Sequence, residues 1–241
     1  LEDVDNFKKE INLLVNVDHP NLLKIYGIYE TVLSIYLISE ECKGKKLVDK
    51  IIEQIDQKKP YSEKYVCNIF YQIMSGIKYL HSNGICHGDI RPGNMIFVNE
   101  GNESSNILRL INLGFNNGLA ANKKLKKNCK GIYYSSPEVI AGNRVDEKND
   151  IWSVGVLLYF LLCGRLPFIG NTEKELCDNI LRMNWKIPSD KKSIISEDAK
   201  DLINHLLVKE DKRFTAKEIL DHSWFRNINK MPIINLNFDY N

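Results

Sequence analysis

Near the start of the chain, Phe7, Ile11 and Leu14 recur at helical spacing with Glu10 among them, which predicts a helix over residues 3–17. Asp18-His19-Pro20 ends it, because the residue before a proline avoids the helical basin. Residues 22–29 and 32–39 are rich in β-branched and aromatic side chains and flank the short Glu30-Thr31 step, so they predict an antiparallel hairpin. Beyond it the pattern turns helical. Val66, Ile69, Phe70, Ile73, Met74, Ile77 and Leu80 form one apolar stripe, with Ser62 at its N-cap and Asn83-Gly84 at its stop. Residues 95–98 and 108–111 predict two short strands around the polar tract 99–106. After residue 137, helices are expected over 151–163, 172–183, 197–208 and 216–222, the last opened by a Thr215–Glu218 capping box. Residues 226–241 carry no helical period and are expected to be irregular. The pattern describes an α+β chain: a small strand-bearing part, residues 1–41, on a larger helical part, residues 42–225.

Composition changes this picture only by exclusion. The 241 residues suffice for one substantial core or two lobes. Basic residues, 33, nearly balance acidic ones, 31, so no general field favours nucleic acid or a membrane surface as partner. The longest apolar run, 151–163, is too short to span a bilayer and reads as a buried core helix. The six cysteines are scattered without a C-x-x-C pair and no apolar leader opens the chain, so a reducing intracellular setting, the cytoplasm, is expected.

The densest candidate chemistry is His87-Gly88-Asp89-Ile90-Arg91-Pro92-Gly93-Asn94, followed by Asn112-Leu113-Gly114. The first run resembles the protein-kinase catalytic loop H-R-D-x-x-x-x-N, and the second lies where such a kinase carries D-F-G. Ser136-Pro137-Glu138 resembles the A-P-E that closes the activation segment, and Asp150-Ile151-Trp152-Ser153-Val154-Gly155 the D-x-W-S-x-G that opens a central helix. Arg213 matches the arginine that pairs with the A-P-E glutamate, and runs 163–168 and 222–225 also fit. With these motifs in order, residues 1–225 resemble a protein kinase, most closely the calmodulin-regulated and calcium-dependent kinases of plants and protists. The resemblance implies a truncated strand-bearing N-lobe on a larger helical C-lobe. Leu14, Ile25, His87 and Leu113 match four stacked positions that link the lobes, with Asp150 as their anchor.

The same resemblance assigns site roles. Asp89 would orient the attacking hydroxyl, Arg91 would stand for the usual lysine near the γ-phosphate, and Asn94 would hold a metal and brace the loop. ATP would lie against Ser39, Glu40 and Cys42 of the hinge and against Ile96, with Glu10 the partner of a nucleotide-binding lysine. Magnesium would be held by Asn94 and Asn112. Several positions depart from the family pattern. Asn112 replaces a carboxylate by a neutral amide, so binding of ATP and magnesium is expected to be weak, with manganese as the substitute ion. Gly88 replaces an arginine that answers loop phosphorylation, and Gly131 a threonine that bridges to the catalytic aspartate. Gly93 and Lys46 replace two acids that attract a basic peptide. No G-x-G-x-x-G loop and no V-A-I-K lysine precede the first helix in this chain. Lysines 123, 124, 126, 127 and 130 are expected to form a solvated face. The expectation is a pseudokinase that binds nucleotide or a protein partner. The alternatives are an active atypical Ser/Thr kinase that uses Asp89 on a protein substrate, and a pure interaction module.

Overall fold

The computed structural model describes residues 14–31, 34–57, 61–101, 106–113, 129–143, 145–227 and 233–234. The predicted hairpin is present: β1 (Ile25–Glu30) pairs antiparallel with β2 (Ile35–Ser39). The Thr31 N–H closes the turn on the Ser34 carbonyl at 2.8 Å. Of the expected first helix, residues 14 and 15 are helical, while Phe7, Glu10 and Ile11 lie outside the described residues, as do Gly114 and lysines 123, 124, 126 and 127.

Helix α1 (Leu47–Asp56) is absent from the periodicity reading because it buries only Leu47 and Ile51 and its N-cap, Lys46, makes no side-chain cap. The stripe helix, α2 (Glu63–Ser82), follows the two-residue strand β3 (Tyr61–Ser62), and Ser62 caps it by accepting the Tyr65 N–H at 3.1 Å. Strands β4 (Met95–Phe97) and β5 (Leu108–Leu110) pair antiparallel, as expected. Two single-turn helices, α3 (Cys129–Ile132) and α4 (Pro137–Ile140), are too short for any period to reveal. Then come α5 (Glu147–Cys163), α6 (Glu173–Leu181), α7 (Glu197–Leu206), α8 (Ala216–Leu220) with its capping box, and α9 (Ser223–Arg226). The expectation of an irregular tail needs one correction: β6 (Ile233–Ile234) pairs antiparallel with β3, a partnership of distant segments that leaves no local pattern.

The core gathers around α5, buried on every side as a helix apolar all round must be. It begins one turn before the apolar run, where Asp146 accepts the Asn149 N–H at 3.0 Å. At Gly155 an added Cβ would lie 2.7 Å from Leu206 Cβ, so only glycine lets α5 and α7 approach this closely. Trp152 stacks on Phe168 with centroids 5.5 Å apart. The hairpin is stitched to this body by the Leu23 N–H on the Leu110 carbonyl and the Leu110 N–H on the Asn21 carbonyl, both 2.9 Å. Among the described residues no helix is long and apolar enough to cross a membrane. Burial pushes the Cys67 and Cys163 thiols up to about 12, so neither is a thiolate at neutral pH.

Two buried polar knots lock the periphery. Glu63, fully buried, accepts the Ser196 N–H at 3.1 Å, the Ser196 hydroxyl at 2.5 Å and the Trp224 indole N–H at 2.7 Å. Arg213 donates to Glu138 Oε1 at 2.5 Å, to Oε2 at 3.2 Å and to the Lys148 carbonyl at 2.7 Å. Its guanidinium also lies over the Trp152 ring, 5.1 Å from the centroid. Burial pushes the Glu138 carboxyl up, but hydrogen bonds and the charge of Arg213 outweigh it and hold the group below its ordinary value.

Arg213→Ala leaves a partly desolvated carboxylate unpaired and should lower stability by about 3–5 kcal/mol in a denaturant titration. The depressed Glu138 carboxyl adds stability above the ordinary glutamate value of 4.5 and loses it as pH falls through its folded value. The stability gap between the wild type and Arg213→Ala should therefore narrow on acidification below that value. A gap independent of pH down to strong acid would exclude the ion pair as its source.

Candidate active site

Two helices meet at residues 87–94. From α5 comes Asp150, wholly buried, and from the last turn of α2 comes His81, nearly so. Asp150 Oδ2 accepts the His87 N–H at 2.7 Å and Oδ1 the Gly88 N–H at 2.8 Å, while His81 Nε2 lies 3.0 Å from Oδ2. A carboxylate this far from water is tolerable only with several donors converging on it. Gly88 has φ +78°, a left-handed conformation that side-chain-bearing residues enter at a cost, so glycine suits the turn that brings its N–H to Asp150. Burial pushes the His87 imidazole below its ordinary range, against the pull of Asp150 and Asp89. The ring is neutral, and its Nδ1 accepts the Asp89 N–H at 3.2 Å. Leu14, Ile25 and Leu113, expected to stack with His87 between the lobes, are all buried with it.

The loop then turns Asp89 toward solvent, and the candidate residues close into one chain of hydrogen bonds. Asp89 Oδ2 accepts from Arg91 Nε at 3.0 Å and from Asn94 Nδ2 at 2.6 Å. The 3₁₀ turn Pro92–Asn94 positions Asn94 through its N–H on the Arg91 carbonyl at 2.9 Å, and the Ile111 N–H bonds the Asn94 carbonyl at 3.0 Å. That last bond carries Asn112 alongside. Asn112 adopts φ +62°, which asparagine tolerates better than most residues, and its Nδ2 donates to Asn94 Oδ1 at 2.9 Å. An aspartate at this place would set one acceptor against another, and a cation between them would resolve the conflict. The amide resolves it with its own proton. The donor set therefore does not fit a hard divalent ion: Asn94 Oδ1 already accepts a hydrogen bond, and residue 112 offers no anionic oxygen. At Gly131 an added Cβ would meet nothing within 4 Å, so this position supplies no bridge to Asp89.

On the nucleotide side, the Glu40 carboxylate is spent on structure. It accepts the Lys24 N–H at 2.7 Å and pairs with Arg109 at 3.0 Å, which fastens the hinge to β5. Its backbone N–H donates to the Lys24 carbonyl at 2.9 Å. The Ser39 hydroxyl donates to the Glu40 carbonyl at 3.2 Å. Cys42 is half-buried, and burial followed by the Glu40 charge raises its thiol against the pull of Arg109. Ile96 is half-buried on the face of β4 opposite buried Met95 and Phe97. Lys46 is exposed and its backbone bridges Ile96, while a Cβ at Gly93 would meet open space. Glu10 lies outside the described residues. Arg109 and His81 escaped the sequence reading. Each acts on a partner 69 positions away, and no motif spacing carries such a pairing.

The protein kinase domain family matches residues 2–225 of this chain. The chain belongs to the protein kinase family. This kinase domain is 37% identical over 232 residues to calcium-dependent protein kinase 3 of Plasmodium berghei, an alignment covering 94% of this chain and 40% of that protein. It is 34% identical over 235 residues to calcium-dependent protein kinase 5 of Plasmodium falciparum, covering 97% and 40%. Myosin light chain kinase A of Dictyostelium discoideum is 33% identical over 225 residues, covering 93% and 74%. The kinase domain thus spans about two fifths of the calcium-dependent kinases it matches.

Asp150→Asn would turn one acceptor into an N–H facing the loop's own N–H groups, at a cost of about 1–3 kcal/mol. Amide exchange at His87 and Gly88 should accelerate accordingly. Exchange as slow as in the wild type would remove Asp150 as the anchor of the loop.

Proposed function

We propose that this kinase domain transfers phosphate weakly or not at all and acts through nucleotide or protein binding in an intracellular setting. The Asn112–Asn94 bond at 2.9 Å carries the proposal, because it satisfies with an amide proton the two side chains that the family pattern gives to metal. Arg91 supports it as well: the guanidinium expected near the γ-phosphate is paired with Asp89. Metal stabilisation of a transferring phosphoryl group is on the order of several kcal/mol. Without it the step slows by roughly a thousandfold or more, since each ~1.4 kcal/mol is tenfold. ATP would still find the hinge backbone and Ile96. The exposed Lys46 and the missing side chain at Gly93 disfavour a basic peptide.

A second reading, an active atypical Ser/Thr kinase, draws on Asp89 itself. Its carboxylate is partly exposed and oriented by Asn94, as a base for a substrate hydroxyl would be.

Phosphate transfer by the full-length protein, in magnesium and in manganese, separates these readings. The expected signal matches that of Asp89→Ala; robust transfer that Asp89→Ala abolishes would establish the active kinase instead. Asn112→Asp should tighten magnesium-dependent ATP binding by roughly tenfold, about 1.4 kcal/mol, whereas unchanged affinity would place the defect elsewhere in the site. A thermal-shift titration separates nucleotide binding from a pure interaction module: no shift at millimolar ATP favours the latter.

A further inference from the structure

Three ligand-type side chains converge on elements that the active site does not use. Asp201 and His205 stand one turn apart on α7, and His222 is the N-cap of α9. Their ligand atoms lie within 4.8 Å of one another. Asp201 Oδ2 is the focus, 3.0 Å from His222 Nε2 and 3.6 Å from His205 Nδ1. A tetrahedral zinc ion with bonds of about 2.0–2.1 Å sets neighbouring ligand atoms roughly 3.3–3.5 Å apart. The two Asp201 separations bracket that edge, and the third pair, His205 and His222, lies within 4.8 Å with ring centroids 6.4 Å apart, so the two rings turn toward each other to share an ion.

Both rings have fixed partners in the metal-free protein. His205 stacks on Phe214 with centroids 4.1 Å apart and planes 17° apart, and the Phe214 N–H bonds the His205 carbonyl at 3.2 Å. The His222 backbone is tied down by the turn into α9, where its Nδ1 accepts the N–H of fully buried Trp224 at 3.2 Å. Asp198, one turn before Asp201 on α7, accepts the Ser223 hydroxyl at 2.8 Å and the Asn227 amide at 2.7 Å, which ties α7 to α9 beside the cluster.

We propose that Asp201, His205 and His222 form a site for a zinc-type divalent transition-metal ion that clips α7 to the start of α9. Two imidazoles and one carboxylate suit zinc or cobalt and do not suit magnesium, which prefers an all-oxygen shell. Without metal, His222 Nε2 and His205 Nδ1 point protons at Asp201, the latter also 2.9 Å from the Asp201 carbonyl. On binding, each ring moves its proton to the other nitrogen and the ion takes the place of both N–H groups beside one carboxylate. The cost is the His222 cap and the His205 bond to its own helix. Asp201 is 57% exposed at the side chain, which leaves the fourth position to water.

The test uses full-length protein stripped with a chelator and titrated with zinc by calorimetry, and with cobalt by visible absorption, in millimolar magnesium. The expected result is micromolar binding that magnesium does not compete away, with the absorption of four-coordinate cobalt. His205→Gln and Asp201→Asn should each weaken it by roughly tenfold or more, with unchanged circular dichroism. His205→Gln alters a surface ring and keeps the test open if Asp201→Asn folds poorly. No binding at submillimolar zinc, or full affinity in both variants, overturns the proposal. Neither result bears on the reading of Asn112.

Discussion

The Asp150 carboxylate lies inside the most enclosed helix of the molecule and accepts the backbone N–H groups of His87 and Gly88. A carboxylate in that position has no water to fall back on, so its donors must come from the loop packed against it. Everything at the site follows from this constraint. With His87 and Gly88 held, Asp89 must turn outward, Pro92–Asn94 must fold back beneath it, and Asn94 must meet the strand that leads to Asn112. The requirement belongs to folding, not to catalysis. A chain can lose phosphoryl transfer and still need every one of these bonds.

That separation explains how the departures from the family pattern are distributed. Asp150, Glu138 and Arg213, whose removal would strand buried charge, are present and paired. Asn112, Gly131, Gly93 and Lys46 are changed, and each is at a place where the chain folds without the usual side chain. Gly88 is instructive because it gives up a charged side chain and at the same time relieves a left-handed backbone. The Asn112–Asn94–Asp89–Arg91 chain runs from amide to guanidinium, with one carboxylate balanced by one guanidinium. It is a low-charge arrangement that needs no cation to hold it together.

Much of the fold was legible because its rules are local. The hairpin, α2 with Ser62 and α8 with its capping box rest on periods and caps that span four residues or fewer, and the body of α5 on one unbroken apolar run. The start of α5 was missed because its first turn is polar and reads as loop until Asp146 is seen to cap it. The elements α1 and the β3–β6 pair were missed for a different reason. The first buries only two side chains, and the second joins segments that meet only in the folded chain.

The site divides along the same line. By itself the sequence determined which residues fill the run that resembles a catalytic loop, that asparagine stands at 112 where the family pattern has aspartate, and that Asp150, Glu138 and Arg213 are present. Only the tertiary structure decided that Asn112 donates to Asn94, that Glu40 is engaged by Arg109, and that Glu63 joins Ser196 to Trp224. It also decided that His222 faces Asp201 and His205. Residue identity states what a side chain can donate or accept. Which partner it meets, and in which direction the proton points, depends on groups brought together across tens of residues, and no local pattern records that.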